Sequence, residues 1–378
     1  MVLRIQVDKY TIALVSDWYY PKAGGIEYSV DSLARNLQAL GHEVHIITKN
    51  NDGVPWKDSL PVIRLKGKLI AERLISPTVY KDLYRILKAG SYDIIHAHGL
   101  DSPLAMMSLL LARIRGIPCL MTSHSLLGPL SLRYPILMAA RLLLRFADAL
   151  IAVSSAVEQE SKAVFKGRLY RIPNGLDLRS PNGAVQSIPI DTENRIVITT
   201  VSRMTRKKGV HDLVTIALRL LKRYDNLLFL MIGEGPLREK LESKINELNL
   251  AQYFLFTGEA SRGTVLDLLD KSDIFVLPSP REAFGIVILE AFLKEVPVVA
   301  RNHSGVSDLI THGETGLLAD DDEQMARCIE ELIGRPELAA SLSAAAYQEL
   351  YRYRWQDIAK RVEEVYRAIL HEEACDLR

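Results

Sequence analysis

RIVITTVSRMTRKKGVHDLVTIALRLL, residues 195–221, passes from a β-branched run through a basic loop into a helical pattern. A strand followed by a helix is the reading, and it restarts an alternation already running through the first half of the chain. Upstream, strands are predicted over Thr11–Ser16, Val44–Thr48, Val62–Leu65, Ile94–His96, Pro118–Thr122, Leu150–Val153 and Leu169–Ile172, with helical patterns between most of them. In the second half Arg195–Ser202, Leu227–Gly233, Tyr253–Thr257, Ile274–Leu277 and Pro297–Ala300 read as strands, each but the last followed by a helical pattern. Such punctuation predicts α/β architecture, with parallel sheets covered by helices on both faces.

Two Rossmann-like halves result. Turn formers and polar residues gather between them, with Pro173, Pro181, Gly183 and Pro189, and predict a linker over 181–194. The domains expected are therefore 1–180 and 195–350, followed by a tail over 351–378. In that tail Trp355, Ile358, Val362, Val365, Tyr366 and Ile369 describe one helix with one buried stripe. A length of 378 residues agrees with two domains. Apolar content of 48% and charged content of 25% exclude disordered and fibrous classes.

A net charge of +1 denies the chain the basic balance of a protein held on nucleic acid by phosphate neutralisation. The three cysteines, Cys119, Cys328 and Cys375, show no CxxC spacing, so neither a disulfide framework nor a zinc knuckle is indicated and a reducing cytoplasm is expected. Asp8 and Lys9 interrupt the first apolar stretch, which therefore lacks the core of a signal peptide. Arg141, Arg145 and Asp148 interrupt the most apolar later stretch, Ile136 to Val153, so no spanning helix is expected.

The chemistry-bearing residues collect at strand ends. Gly24-Gly25 lies between the first strand and its helix, as a turn pair or as a loop whose amides meet an anion. Arg203 and Lys208 follow a strand and precede a helix, where cations point into the crevice that binds ligands in such folds; as a pair they suit a diphosphate, and as an isolated basic run they suit a solvated turn. GEGP, residues 233–236, begins like a dinucleotide fingerprint, but Arg238 stands where the third glycine belongs, so no nicotinamide cofactor is expected. In LPSPREAFGIVILEAF, residues 277–292, Glu282 sits near a loop and Glu290 about two turns into the helix that Phe284-Gly285-Ile286 opens. Amides around Gly285 suit a phosphate or sugar, and a carboxylate in an apolar run suits the paired hydroxyls of a ribose.

His124 follows the fifth strand and is read as structural or catalytic. His96 and His98 imitate a metal pair at two-residue spacing, with no third ligand evident, so no metal is expected. The acidic run Asp320–Asp322 reads as solvated surface in a polar turn.

Together the GG loop, SR-x-x-R-K-K-G, GEGP and E-x7-E resemble the retaining glycosyltransferases of family 4, and the resemblance covers nearly the whole chain. Within that family SDWYYPKAGGIE, HAHG, SHSLLG, VSRMTRKKG and EAFGIVILEAF are most similar to the catalytic subunits that place N-acetylglucosamine on phosphatidylinositol. The resemblance implies a GT-B fold, with two sheets facing across a cleft and a last helix that crosses back to the first domain. It implies that Arg203 and Lys208 bind the donor diphosphate and that Glu290 holds the ribose. Phe284, Gly285 and Ile286, with Glu282, would hold the donor's sugar and phosphate. Gly24 and Gly25 would shape the pocket from the other domain, and His124 would lie beside the transferred sugar. A UDP-linked donor, favoured as UDP-N-acetylglucosamine, and no cofactor or metal follow from it.

Two rivals share the same sequence features: an epimerase acting on the same donor, and a catalytically silent protein that only binds the nucleotide sugar. Both a lipid acceptor and an anionic membrane surface are expected from SLRYPILMAARLLLRFADA, residues 131–149, where Arg133, Arg141 and Arg145 fall within about 120° of one another on a helix beside Ile136, Leu137 and Leu142–Leu144. A core helix with solvated arginines is the competing account.

Overall fold

The computed structural model describes residues 9–21, 24–50, 58–67, 69–70, 73–74, 76–127, 134–178, 186 and 188–376. Its chain divides into two compact units, the first comprising Met1–Gly175 with Trp355–Arg378 and the second Leu176–Arg354. The divisions thus fall at Gly175/Leu176 and Arg354/Trp355, near the 180 and 350 boundaries read from sequence but not on them. Residues 181–185 and 187 of the expected linker lie outside the described residues.

In the first unit the strands are β1 (Thr11–Val15), β2 (Glu43–Lys49), β3 (Val62–Leu65), the short pair β4 (Leu69–Ile70) and β5 (Arg73–Leu74), β6 (Ile94–His98), β7 (Cys119–Ser123), β8 (Ala149–Ala152) and β9 (Arg168–Arg171). Its helices are α1 (Gly25–Ala39), α2 (Pro77–Ala89), α3 (Pro103–Arg115), α4 (Tyr134–Leu144) and α5 (Ser155–Ser161). Seven strands form one parallel sheet in the order β3-β2-β1-β6-β7-β8-β9, while β4 and β5 pair antiparallel by themselves. In β6, β7 and β8 every residue is buried, as a sheet covered on both faces requires.

The second unit repeats the plan with β10 (Ile196–Val201), β11 (Leu227–Ile232), β12 (Phe254–Gly258), β13 (Ile274–Leu277), β14 (Val298–Arg301) and β15 (Leu317–Ala319). Helices α6 (Asp212–Leu220), α7 (Arg238–Glu247), α8 (Arg262–Leu269), α9 (Ile286–Leu293), α10 (Asp322–Gly334) and α11 (Pro336–Glu349) accompany them. The six strands are parallel in the order β12-β11-β10-β13-β14-β15. Strand order reverses beside β1 in the first sheet and beside β10 in the second. Ligands bind at such switch points, outside the carboxyl ends of the strands.

The last helix, α12 (Trp355–Asp376), belongs to the first unit and packs along α1. Trp355, Ile358, Ala359, Val362, Val365, Tyr366 and Ile369 are buried in one cluster with Val30, Leu33 and Leu37 of α1. Each fully buried aliphatic or aromatic side chain in such a seam contributes roughly 1.5–3 kcal/mol against exposure. At Gly175 the seam leaves no room for a side chain, because a Cβ there would lie 2.6 Å from the Trp355 ring.

Candidate functional site

In the second unit the loop after β10 carries Arg203 to the surface, and the loop after β11 holds it there. Met204 N–H donates to the Glu234 carbonyl at 2.8 Å, and Leu237 N–H donates to the Met204 carbonyl at 3.0 Å. Two glycines make this approach possible. A Cβ on Gly233 would stand 2.2 Å from the Ser202 carbonyl oxygen and one on Gly235 2.5 Å from that of Met204. GEGP is therefore the backbone clamp of the Arg203 loop, which accounts for its glycines without a dinucleotide.

Lys208 closes the same loop. Its Nζ lies 2.6 Å from a carboxylate oxygen of Glu282, which comes from the loop after β13. The two sequence motifs, 74 residues apart, thus meet in one ion pair. Just beyond it Phe284 is buried with its ring edge-on to Tyr353, centroids 6.1 Å apart. Gly285, at φ 92°, caps α9 without any side-chain hydrogen bond, and Ile286 opens the helix. The first amides of a helix have no partner within it, so this end of α9 offers donors.

Glu290 is buried in the second turn of α9, and its Oε1 accepts from Arg262 Nε at 2.9 Å. Arg262 also donates from Nη2 to the Asp177 carbonyl at 3.0 Å. Burial pushes the Glu290 carboxyl above its ordinary range, and the Arg262 guanidinium opposes that shift. Glu290 is thus a buried, paired group, not a helix-surface carboxylate. Sequence reasoning missed Arg262 because it opens a different helix, and no local spacing ties it to Glu290.

The acidic run 320–322 lies at the surface, as read from the sequence, with Asp320 and Asp321 exposed. Asp321 caps α10 by accepting from Gln324 N–H at 2.7 Å, Asp320 accepts from Asn302 at 2.8 Å, and Asp322 pairs with the buried Arg301. Arg301 also reaches Asp212 at 3.3 Å, so the run braces the helices behind the Lys208 loop. Burial first, and then the charge of Asp322, raise the Asp212 pKa.

In the first unit Gly24 precedes α1 in extended backbone with φ 179°. The space a Cβ would take is filled by the chain's own Glu27, whose Oε2 would lie 2.3 Å from it. The glycine pair therefore admits a carboxylate to the N-terminus of α1, where the helix dipole favours one. Gly25 is the first residue of the helix, and its carbonyl accepts from Ser29 Oγ at 2.7 Å.

His124 follows β7 and is half-buried, with its Nδ1 out of contact with solvent. Its Nε2 lies 3.0 Å from His98 Nδ1, and burial lowers its pKa to about 4, with the neighbouring Asn174 side chain opposing. His96 and His98 share one side of β6, and both nitrogens of His96 are engaged, by the Tyr366 hydroxyl at 2.7 Å and Thr122 Oγ1 at 2.6 Å. His98, His124, Asn174 and Trp355 line one small recess, part of it open to solvent. Among the described residues no group of three or more His, Cys, Asp or Glu side chains could hold a metal ion.

Arg133 lies outside the described residues. Helix α4 ends at Leu144, so Arg145 stands just beyond it. Arg141 and Arg145 are exposed, as are Leu142 at 55% and Met138 at 48%, whereas Ala140 and Leu144 are buried. One side of α4 packs while another offers cations and apolar groups to the surface. Among the described residues no helix is long and apolar enough to cross a membrane.

The family described as "Glycosyltransferase Family 4" matches residues 23–180, and "Glycosyl transferases group 1" matches residues 186–349. The chain is a glycosyltransferase of the GT-B fold. A phosphatidylinositol N-acetylglucosaminyltransferase component from Arabidopsis thaliana is 29% identical to this glycosyltransferase over 373 residues, covering 95% of this chain and 82% of that one. Alpha-monoglucosyldiacylglycerol synthase of Acholeplasma laidlawii is 23% identical over 388 residues, covering 94% and 96%. In three dimensions the glycosyltransferase resembles Anabaena HepE, solved in complex with UDP and glucose, with a TM-score of 0.79 at 21% identity over 94% of this chain and 99% of that one.

Proposed function

We propose that this glycosyltransferase moves N-acetylglucosamine or a related hexose from a UDP-linked donor to a hydroxyl of a lipid such as a phosphoinositide, with retention at the anomeric carbon and without a metal ion. The observation that carries the proposal is the Lys208–Glu282 pair at the carboxyl ends of β10 and β13, with Arg203 on the same loop as Lys208. A donor diphosphate takes Lys208 from Glu282, since phosphate oxygens match both cations, and the released carboxylate turns to the hydroxyls of the sugar. Leaving-group cleavage places negative charge on the diphosphate. Arg203, Lys208 and the backbone from Phe284 to Ile286 are oriented before that charge develops, which is where such groups contribute most.

Glu290, held by Arg262, accepts the ribose hydroxyls. Gly24 and Gly25 shape the wall that the first unit supplies. His124, neutral because burial disfavours its cation, serves as a hydrogen-bonding group towards the transferred sugar, not as a general acid. In this reading the departing phosphate takes the acceptor's proton.

The Arabidopsis relative, named for phosphatidylinositol, and the Acholeplasma relative, named for a diacylglycerol, support a lipid acceptor. Arg141, Arg145, Met138 and Leu142 then rest on an anionic cytoplasmic membrane surface, each cation there contributing about 1 kcal/mol.

The test uses purified protein with radiolabelled UDP-N-acetylglucosamine or UDP-glucose, and vesicles containing phosphatidylinositol or diacylglycerol, with and without EDTA. Label in the lipid phase, in the α configuration and insensitive to EDTA, is expected. Epimerised donor would favour the epimerase, and nucleotide binding with neither product would favour a silent binding protein.

A further inference from the structure

Three imidazoles stand in a row inside the first unit, and each is aligned by the next. His96 is fixed at both nitrogens by Tyr366 of α12 and by Thr122. Its ring stacks on His98, centroids 4.1 Å apart and planes 29° apart, and His98 stacks on His124 at 5.4 Å and 19°. The 3.0 Å contact between His98 Nδ1 and His124 Nε2 makes one ring the donor and the other the acceptor. Their remaining nitrogens, His98 Nε2 and His124 Nδ1, are buried without a hydrogen-bond partner, and both residues line the recess.

A neutral imidazole carries a single N–H. If His98 donates from Nδ1, its Nε2 is bare, and His124, accepting at Nε2, carries its own proton on Nδ1. If the roles are exchanged, the free nitrogens exchange as well. In either arrangement the recess is offered one donor and one acceptor. A hydroxyl, which donates and accepts, satisfies both; a phosphate oxygen or a carboxylate satisfies one and leaves the other buried atom unpaired. Burial holds both rings neutral, lowering His124 to about 4 and His98 well below its ordinary value, so the pairing rule persists at neutral pH.

We propose that His98 and His124 act as one hydroxyl-binding pair for a sugar or polyol, in which His98 is a positioning residue that decides which nitrogen of His124 carries the proton. The proposal deepens the transfer reading and rests on it for the identity of the hydroxyl. The pairing itself stands on the rings alone.

The experiment compares His98→Asn, whose amide replaces Nδ1, with His98→Gln, whose amide replaces Nε2, and His98→Phe, which keeps a ring and neither nitrogen. In ¹⁵N-histidine spectra of the ligand-free protein, His124 is expected to show one dominant tautomer in wild type and His98→Asn, and a mixture in His98→Phe and His98→Gln. N-acetylglucosamine or myo-inositol should shift the His98 and His124 signals, whereas sulfate, which carries no proton at neutral pH, should not. With UDP-N-acetylglucosamine and phosphatidylinositol vesicles, kcat should fall about tenfold to hundredfold in His98→Phe and His98→Gln, the cost of one unpaired buried polar atom, and recover in His98→Asn, with UDP affinity unchanged throughout. An unchanged His124 tautomer in folded His98→Phe overturns the proposal. So does a sulfate-induced shift equal to that of the polyols. Should His98→Phe fail to fold, equal behaviour of the Asn and Gln variants overturns it instead. Absence of transfer by the wild type refutes the transfer reading, and the tautomer and polyol measurements then decide the pair by themselves.

Discussion

Replacing Arg262 by methionine keeps the bulk of the side chain and removes its charge from beside Glu290. The carboxylate is buried, and 2.9 Å separate it from Arg262 Nε. Unit charges at that distance attract by about 6 kcal/mol at an effective dielectric near 20. Delocalisation over the guanidinium and its partial solvent access reduce this towards the lower end of the roughly 3–5 kcal/mol lost when one partner of a buried pair is removed. A loss of about 3 kcal/mol at pH 8 is expected for Arg262→Met.

The pH dependence has a definite sign. Burial already places the Glu290 pKa above its unfolded value, and loss of Arg262 raises it further. A carboxyl so shifted binds more protons folded than unfolded, so stability falls as pH rises from the unfolded value, about 4.3, through the folded one. The variant's deficit should therefore be small near pH 5 and largest near pH 8. Urea denaturation of variant and wild type at both pH values reads the difference, in which histidine effects common to the two proteins cancel. UDP calorimetry at pH 8 should show binding weakened about tenfold, because a carboxyl that has picked up a proton accepts one hydroxyl fewer. A deficit below about 0.5 kcal/mol at pH 8, or one equal at both pH values, would refute the dependence of Glu290 on Arg262.

Arg203→Ala and Lys208→Ala should each remove on the order of 2–4 kcal/mol of transition-state stabilisation while leaving the melting temperature close to wild type; undiminished kcat/KM under initial-rate conditions would take both cations out of the site. Gly235→Ala forces a Cβ to 2.5 Å from the Met204 carbonyl at a φ of 157°. It should cost about 2–3 kcal/mol in a denaturant titration and weaken UDP binding through the Arg203 loop, and unchanged values would show that the clamp yields freely. His96, His98 and His124 are neutral in the fold, with His96 lowered to about 3 and His124 to about 4 by burial. Their contribution is complete above about pH 6.5 and is lost as pH falls towards those values, at up to about 1.4 kcal/mol per pH unit for each ring. Denaturation midpoints at pH 7.5 and pH 5 measure it, and the His98→Asn variant should show a shallower slope.

Buried parallel strands announce themselves as apolar runs, which is why Ile274–Leu277, buried at every residue, is legible to the residue. Strands β4, β5 and β15 span only two or three residues, too few for a period to register. Arg203, Lys208, Glu282 and Glu290 are legible one by one, the first three because each follows a strand end and Glu290 because it stands in an apolar run. Their partners are not, since Lys208 meets Glu282, Glu290 meets Arg262 and Arg301 meets Asp322 across separate elements. HAHG shows two histidines with the spacing of a metal pair. What they do instead depends on Tyr366, which lies 270 residues further along. The acidic run is surface, as it reads; its cap and its ion pair stay hidden because they leave the same composition as any solvated polar turn.

The return of α12 to the first unit makes the second unit an insertion within the first. During synthesis the chain completes Leu176–Arg354 while α1 still lacks the helix that covers it. The second unit can therefore close around its own sheet first, and the earlier-made unit finishes last, when Trp355 to Ile369 emerge and cover Val30, Leu33 and Leu37. Until then the apolar face of α1 is open to water and to chaperones. The histidine row is likewise incomplete, since Tyr366 holds its far end. Ordering of that row thus waits until Tyr366 has been made, so a nascent chain that stops short of α12 carries a finished second unit and an unfinished first one.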